Sequence, residues 1–530
     1  MKRYMAKRIL FSIFSLLVVV AAVMLLVFSL INRNVIFQMD DTWNKKNNND
    51  RIVYEYNQYA RYGYLDYTDY TAFLKNKYEA LYGSEYTKKP DYKADKEAIQ
   101  DENTYLENAS VQEFIEQNEK KGMQIRYLEP MRSKSGKVKT GGNGYLLAIQ
   151  EKSVFTRLWN YITGFITVET TNDVKDTMDL KLAERYIRLE KDPYSGFYAL
   201  VGSGTTHKYL LFVDGRFPFI HQNFIHINLG TSYTRFRGQE ITDVIHQPRG
   251  DQEKVRTQYP AKLGTDEYVE TAIDFHSLTY NYNPRTKTEE KQFPDQYTTY
   301  SYRYGGLSMI ENSFVIGLIA TVIAYLIGLP LGILMARHKD GLFDKIGNGY
   351  IIFIMAVPSL AYIFLFATIG TTVFNLPYKF ANAEIKILAY ILPVISLALR
   401  DIGGLMKWMR RYMIDQMNSD YVKFARAEGM SEKEIYRKHI SPNAMIFLVH
   451  GIPSSILGAL VGAIYTESIY SVPGVGNLLT KAISGHDNGI IVACTVFYTT
   501  LSIVSIILGD LLLAKYDPRI SLSSSKGGGR

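Results

Sequence analysis

Apolar runs long enough to cross a bilayer recur six times along this 530-residue chain, at roughly 9–31, 313–336, 349–374, 387–409, 443–466 and 489–514. Inside a bilayer no water is available to the backbone, so each run must satisfy its own N–H and C=O groups and is predicted to be a helix. The expected fold class is an α-helical polytopic membrane protein with six transmembrane helices. Residues 32–310, between the first and second runs, are polar and rich in Tyr, Lys, Asp and Asn, and long enough to fold as a unit. The first run follows Lys2, Arg3, Lys7 and Arg8. It is long for a signal peptide and is followed by no clear small-x-small cleavage site, so an uncleaved signal anchor is expected.

Charge sets the orientation. Of 60 Lys+Arg and 52 Asp+Glu, the 32–310 segment carries 37 and 38, leaving 23 and 14 for the apolar remainder. The basic excess therefore belongs to the membrane part, where it sets topology rather than binding nucleic acid. With the N-terminus inside, the cytoplasmic side holds the four N-terminal charges, Arg337, Lys339, Lys345, the cluster from Arg400 through Lys438, and the tail from Lys515. The external short loops hold only Lys379, Lys386 and Lys481. This asymmetry predicts a multi-pass plasma-membrane protein with both termini cytoplasmic and residues 32–310 extracellular. The expected organisation is 1–31 (N-terminus and first helix), 32–310 (a mixed α/β extracellular insert), 311–514 (a five-helix membrane core with a polar loop at 415–443) and 515–530 (a cytoplasmic tail). The single cysteine, Cys494, lies in an apolar run, which excludes an intrachain disulfide and thiolate metal clusters.

Within the insert, Lys93–Lys121 is polar and helix-prone, while Tyr145–Gln150 and Lys208–Val213 read as strands. Over 153–167, Val154, Phe155, Leu158, Trp159, Ile162, Phe165 and Ile166 recur at helical spacing; this amphipathic helix either lies on the membrane surface or packs inside the insert. Gly202–Lys208 is glycine-rich but lacks the Gly-Lys-Ser/Thr ending of a phosphate loop, and no complete P-loop occurs elsewhere, so the chain should not hydrolyse ATP. His207, His221, His226, His246 and His276 carry no metal-ligand or triad signature and are taken as ordinary histidines; no metal site is expected.

The polar segment from Asp420 to Asn443 sits between two apolar runs. Ala425, Ala427 and Gly429 place small residues at a helix end, Ser431 with Glu434 reads as a capping box opening a second short helix, and Pro442 stops the pattern. Such a helix–turn–helix beside a membrane core suits a docking knob. This stretch, Ala425-Arg-Ala-Glu-Gly-Met-Ser431, resembles the EAA coupling loop of ABC importer permeases in its oligopeptide form, with Lys423 where the generic pattern has an acidic residue. Gln222-Asn-Phe-Ile-His-Ile-Asn-Leu-Gly-Thr-Ser-Tyr233 is similar to the segment before that family's second helix, with Asn228 in place of the usual Asp. Glu467-Ser-Ile-Tyr-Ser-Val-Pro-Gly-Val-Gly-Asn-Leu478 is similar to its short external re-entrant loop, and Asp510 with Asp517-Pro-Arg-Ile520 resembles its closing motif. Four matches in order identify the chain as resembling the B-type permease of oligopeptide importers. The large insert makes it most similar to the Ami/Opp type of streptococci and related Gram-positive bacteria.

The resemblance implies a type I ABC importer permease forming half of a translocation pathway. It implies these partners: a homologous C-type permease, two ATP-binding subunits of D and F type, an extracellular oligopeptide-binding lipoprotein, the peptide and membrane lipids. ATP and Mg would be used by the ATPase subunits, with no catalytic residue and no cofactor on this chain. Ala425, Ala427 and Gly429 would allow close approach to the ATPase, Met430 would add apolar contact, and Arg426 and Glu428 would make rim charge pairs, with Ser431 opening the next helix.

Arg400 and Asp401 lie within the fourth run; being adjacent they should point apart, and either one lines the pathway or Arg400 snorkels to the cytoplasmic surface. Pro473, Gly474 and Gly476 mark a tight external turn; the resemblance implies that it lies near the outer mouth, with Glu467, Pro473 and Gly474 as candidates for the pathway or external gate, and it either touches delivered peptide or the lipoprotein or is purely structural. Asp510 is expected to pair with a cytoplasmic-side Arg or Lys. Competing functions are permeation of another solute (nickel, an oligosaccharide, a peptide pheromone), a membrane-anchored sensor, and an extracellular enzyme on a stalk. A sensor needs a cytoplasmic signalling domain where only 515–530 is available, and a stalk needs one span rather than six.

Overall fold

The computed structural model describes residues 2–30, 32–38, 40–174, 184–258, 268–280 and 298–516. Among the described residues, five helices are long and apolar enough to cross a membrane, contained in Ala6–Ser29, Met309–Arg337, Lys386–Met417, Ile452–Tyr470 and Asn488–Tyr516. The expected run at 349–374 is not straight. It divides into Leu342–Ala356 and Ser359–Phe374, bent by 112°. Pro358 explains the break: its ring disfavours the helical region for the residue before it, and Val357 is extended (φ −76°, ψ 130°). The run at 443–466 also divides, into Ser441–Val449 and Ile452–Tyr470, at Gly451 and just before Pro453.

Helices Met309–Arg337 and Ile391–Met417 form the axis of the core. Gly328 and Gly332 face the second helix so closely that added Cβ atoms would lie 2.9 Å from Leu405 Cβ and 2.7 Å from Met409 Cβ. Small residues one helical turn apart let two backbones approach where lipid supplies no hydrophobic drive. Ala320, Ala324, Met335, Met409 and Met413 are all below 2% exposed in the resulting core. Beside it, Arg410 closes a bidentate pair on buried Asp344, at 2.6 and 2.7 Å.

The described residues between 33 and 302 form short helices and antiparallel sheets. A three-stranded sheet runs Leu65–Asp69, Tyr145–Glu151, Gln124–Leu128 in spatial order, and a four-stranded one is ordered Ile187–Lys191, Tyr198–Gly202, Tyr209–Val213, Ile220–Gln222. A two-stranded ribbon pairs Ile166–Val168 with Ile225–Ile227. The Tyr145–Gln150 and Lys208–Val213 strands are found with nearly the expected bounds. Lys93–Lys121 is not one helix: Pro90–Ala98 and Ala109–Glu119 are separated by turns, and Asn108 caps the second by accepting the Ser110 and Val111 N–H groups. The amphipathic helix is shorter than its pattern. It spans Val154–Thr163, and after Gly164 the chain turns so that Ile166 enters the ribbon. Phe155 and Trp159 are 72% and 67% exposed. The opposite face of this helix carries Arg157, whose guanidinium lies 3.9 Å above Phe28 and 3.7 Å above Tyr64. The Asp517–Ile520 motif and the rest of the tail lie outside the described residues.

Candidate functional site

The polar loop builds a compact knob. Asp420–Ala427 is an eight-residue helix whose buried face is Val422 and Ala425, packed on the membrane core. It ends because Gly429 takes a left-handed conformation (φ 81°) that a side chain disfavours. The Gly429 N–H then donates to Arg426 O at 3.0 Å and the Met430 N–H to Ala425 O at 3.2 Å, the two bonds of a Schellman termination. Met430 turns back onto the same apolar cluster. The Ser431–Glu434 box is half formed: Ser431 Oγ accepts the Glu434 N–H at 3.3 Å, but the Glu434 carboxylate is taken by Lys438 at 2.6 Å.

Several expected roles shift accordingly. Ala425 is only 4% exposed and Met430 half-buried, so both hold the knob to its own core rather than offering it to a partner. Arg426 already pairs with Glu432 at 2.7 Å. Ala427, Glu428, Gly429 and Ser431 are exposed. The large outward residue is one that the motif did not single out: Phe424 is 65% exposed at the middle of the knob, with Tyr421 beside it. An aromatic in a polar helix was visible in the sequence, but its direction depends on Val422 and Ala425 being the buried face.

Arg400 is exposed and Asp401 half-buried. Both line a cavity of about 530 Å³ with Tyr325, Tyr362, Trp408 and Ser455, and both also border an adjoining space of about 480 Å³. The opening wraps around enough of helix Ile391–Met417 to take in two neighbouring positions. Asp401 Oδ2 is buried and accepts no hydrogen bond among the described residues. A buried carboxylate oxygen without a partner is costly.

The Glu467–Leu478 turn is packed inside. Helix Ile452–Tyr470 ends at Ser471 (φ 54°), and Val472–Gly474 leads into helix Val475–Ser484. Glu467 is 0% exposed and its Oε2 accepts the Asn477 N–H at 3.1 Å. A Cβ on Gly474 would lie 2.2 Å from that same oxygen. Pro473 O accepts from Asn312 Nδ2 at 3.0 Å. These residues fix the turn to the core.

A joint that the sequence did not reveal lies just beyond. Asp487, 0% exposed, accepts the N–H groups of Tyr233, Thr234 and Arg235 at 3.0, 2.9 and 3.1 Å and the Ser232 hydroxyl at 2.7 Å, while its other oxygen takes the Ile490 N–H at 3.2 Å. One carboxylate thus caps helix Asn488–Tyr516 and grips the Gln222–Tyr233 segment. At the far end of that helix Asp510 pairs with Arg8 at 2.8 Å, a cation of the expected kind.

Residues 328–522 match the family described as the binding-protein-dependent transport system inner membrane component. The oligopeptide transport system permease protein AmiC of Streptococcus pneumoniae is 34% identical over 536 residues, covering 100% of both chains, so the likeness takes in the 32–310 segment. The dipeptide transport system permease protein DppB of Lactococcus lactis subsp. cremoris is 32% identical over 215 residues, 40% of this chain and 69% of its own. The DppB protein of Bacillus subtilis is 26% identical over 287 residues, 52% and 88% respectively.

Proposed function

The chain belongs to the permease family of peptide ABC importers, as a multi-pass membrane subunit working with ATPase and substrate-binding partners, and we propose that it couples to them through the Asp420–Ala427 knob while Arg400 and Asp401 line the peptide's path. The observation that carries this is the knob's two-sidedness. Val422 and Ala425 lock one face to the membrane core, while Phe424 projects away from that face, 65% exposed. An exposed aromatic on a rigid helix is an anchor for a pocket on another protein. Seating Phe424 in a groove of an ATPase subunit transmits closure of the ATPase pair to helix Ile391–Met417, which leads directly into the knob.

In this reading six spans cross the membrane, the bent pair Leu342–Ala356 and Ser359–Phe374 supplying one of them. Both termini and the knob are cytoplasmic, and residues 32–310 form an extracellular domain. A homologous C-type permease completes the pathway, D- and F-type subunits bind ATP and Mg, and a lipoprotein delivers the peptide from outside. Glu467, Pro473 and Gly474 shape the outer end of the path by holding their turn rigid. Arg400 offers a donor fork to peptide carbonyls or a C-terminal carboxylate, and Asp401 an acceptor to an amine; neither selects a particular side chain, which suits a carrier of many peptides.

The test is co-purification of the chain with its genomic neighbours, comparing the wild type with Gly429→Arg and Phe424→Ala. Gly429→Arg strains the left-handed turn; Phe424→Ala leaves the fold untouched. Loss of the ATPase subunits from both, with the other permease retained, is expected. Full retention of the ATPases by Phe424→Ala would remove the knob from the coupling path.

A further inference from the structure

Three side chains from distant parts of the 33–302 region converge on one point. Glu169 follows the ribbon strand Ile166–Val168, His226 is in its partner strand opposite Thr167, and His207 sits in the loop joining Tyr198–Gly202 to Tyr209–Val213. His207 Nδ1 lies 2.5 Å and His226 Nε2 2.8 Å from the same carboxylate oxygen, Glu169 Oε1. The two rings stand 5.3 Å apart at 27°. The ligand atoms of all three residues lie within 4.8 Å of one another. We propose that Glu169, His207 and His226 form a divalent transition-metal site of the zinc class, which ties the ribbon to the four-stranded sheet.

Two imidazole nitrogens and one carboxylate oxygen are a ligand set that Zn²⁺ takes, with a fourth position left for water. With bonds of about 2.0–2.1 Å, tetrahedral ligand atoms stand roughly 3.3 Å apart, so admitting the ion asks each ring to retreat by less than about 1 Å. The carboxylate is already aimed. Its Oε2 accepts the His207 backbone N–H at 2.9 Å, a bond that survives when the ring nitrogens turn from donors to ligands. The Glu169 side chain is 4% exposed while those of His207 and His226 are 24% and 36%, so the carboxylate forms the floor of the site and the rings its open rim. Each ligand is fixed by backbone pairing. The Glu169 N–H donates to Phe224 O at 2.8 Å, His226 is held by the ribbon, and Thr205 Oγ1 donates to His207 O at 2.6 Å. The ribbon runs straight into Asn228–Tyr233, the segment gripped by Asp487, so a bound metal braces the approach to that joint.

The experiment uses the full chain purified with its partner subunits, stripped with chelator, loaded with Zn²⁺ and desalted. Elemental analysis should find about one zinc per chain more in the wild type than in a His207→Ala/His226→Ala double variant, and Glu169→Gln should weaken retention at least tenfold. Equal zinc in wild type and double variant would overturn the proposal and leave the trio a hydrogen-bonded cluster. A second measurement guards against misfolding. Co²⁺ loaded into His207→Cys should give a thiolate charge-transfer band absent from the wild type. A variant that binds Co²⁺ without that band would remove His207 from the coordination sphere and overturn the three-ligand site.

Discussion

Helices Met309–Arg337 and Ile391–Met417 approach one another where side chains are missing, at Gly328 and Gly332. In residues 33–302 the core is built instead around large rings. Phe114 is 0% exposed with Tyr70 and Phe73 edge-on to it at 5.7 and 5.5 Å, and Tyr105 stacks on Tyr127 at 4.0 Å. The surroundings explain the contrast. Among lipid tails a buried apolar side chain is no better off than an exposed one, so the gain comes from backbone approach and close fit. In water each ring removes about 150–250 Å² from solvent, several kcal/mol at about 25 cal/mol per Å². The tyrosine density of the first part and the glycine spacing of the second are the same requirement met in two solvents.

The contrast can be broken most severely in the membrane. Gly332→Leu drives a side chain into Met409 Cβ and the Met406 carbonyl, 2.7 and 3.0 Å from the position of its Cβ, and neither backbone can retreat without parting the helices. Loss of a monodisperse species on size-exclusion chromatography in detergent is expected; a normal peak would show that the glycines are incidental. Phe114→Ala should cost about 3–5 kcal/mol, felt only in the 33–302 region. Limited proteolysis should then open Tyr70–Leu147 while helices 309–516 stay protected, and cleavage spreading into those helices would mean the two parts do not fold separately. Asp487→Asn tests the seam between them. It keeps the volume but removes the charge that three backbone N–H groups and a hydroxyl address, at about 1.5–3 kcal/mol, and should raise hydrogen exchange at Tyr233–Arg235 first. Smallest is Arg426→Ala, which deletes an exposed pair with Glu432 and should leave the unfolding temperature unchanged, because such pairs contribute little.

What could be read in advance follows the range of the interaction. Hydropathy runs found the long helices because backbone satisfaction in lipid is a local demand. The break at Pro358 was equally local, a proline inside an expected span. The terminating glycine at 429 and the cap at Ser431 were legible for the same reason. Asp487 was not, since its partners are 252–255 residues away and one aspartate in a polar turn carries no signal. Glu169, His207 and His226 are separated by 38 and 19 positions, unlike any short ligand spacing, and meet only because strand pairing brings them together. Phe424 fell between these cases: the residue was plain, its direction was not.

Helix Asn488–Tyr516 is pinned near both ends, by Asp487 to the Ser232–Arg235 turn and by Asp510 to Arg8 on the first helix. Twenty-three residues separate the pins, about 35 Å at 1.5 Å per residue, a little more than the hydrocarbon thickness. The helix is therefore a strut hung between the two faces of the membrane. Rocking it by about 5° around one pin would sweep the other sideways by roughly 3 Å, the width of a hydrogen bond. Neither end can make that excursion without dragging its tether or letting go of it. A swing of the permease on one side would in this way be felt as a tug on the other, carried by a rod rather than by a chain of side-chain rearrangements.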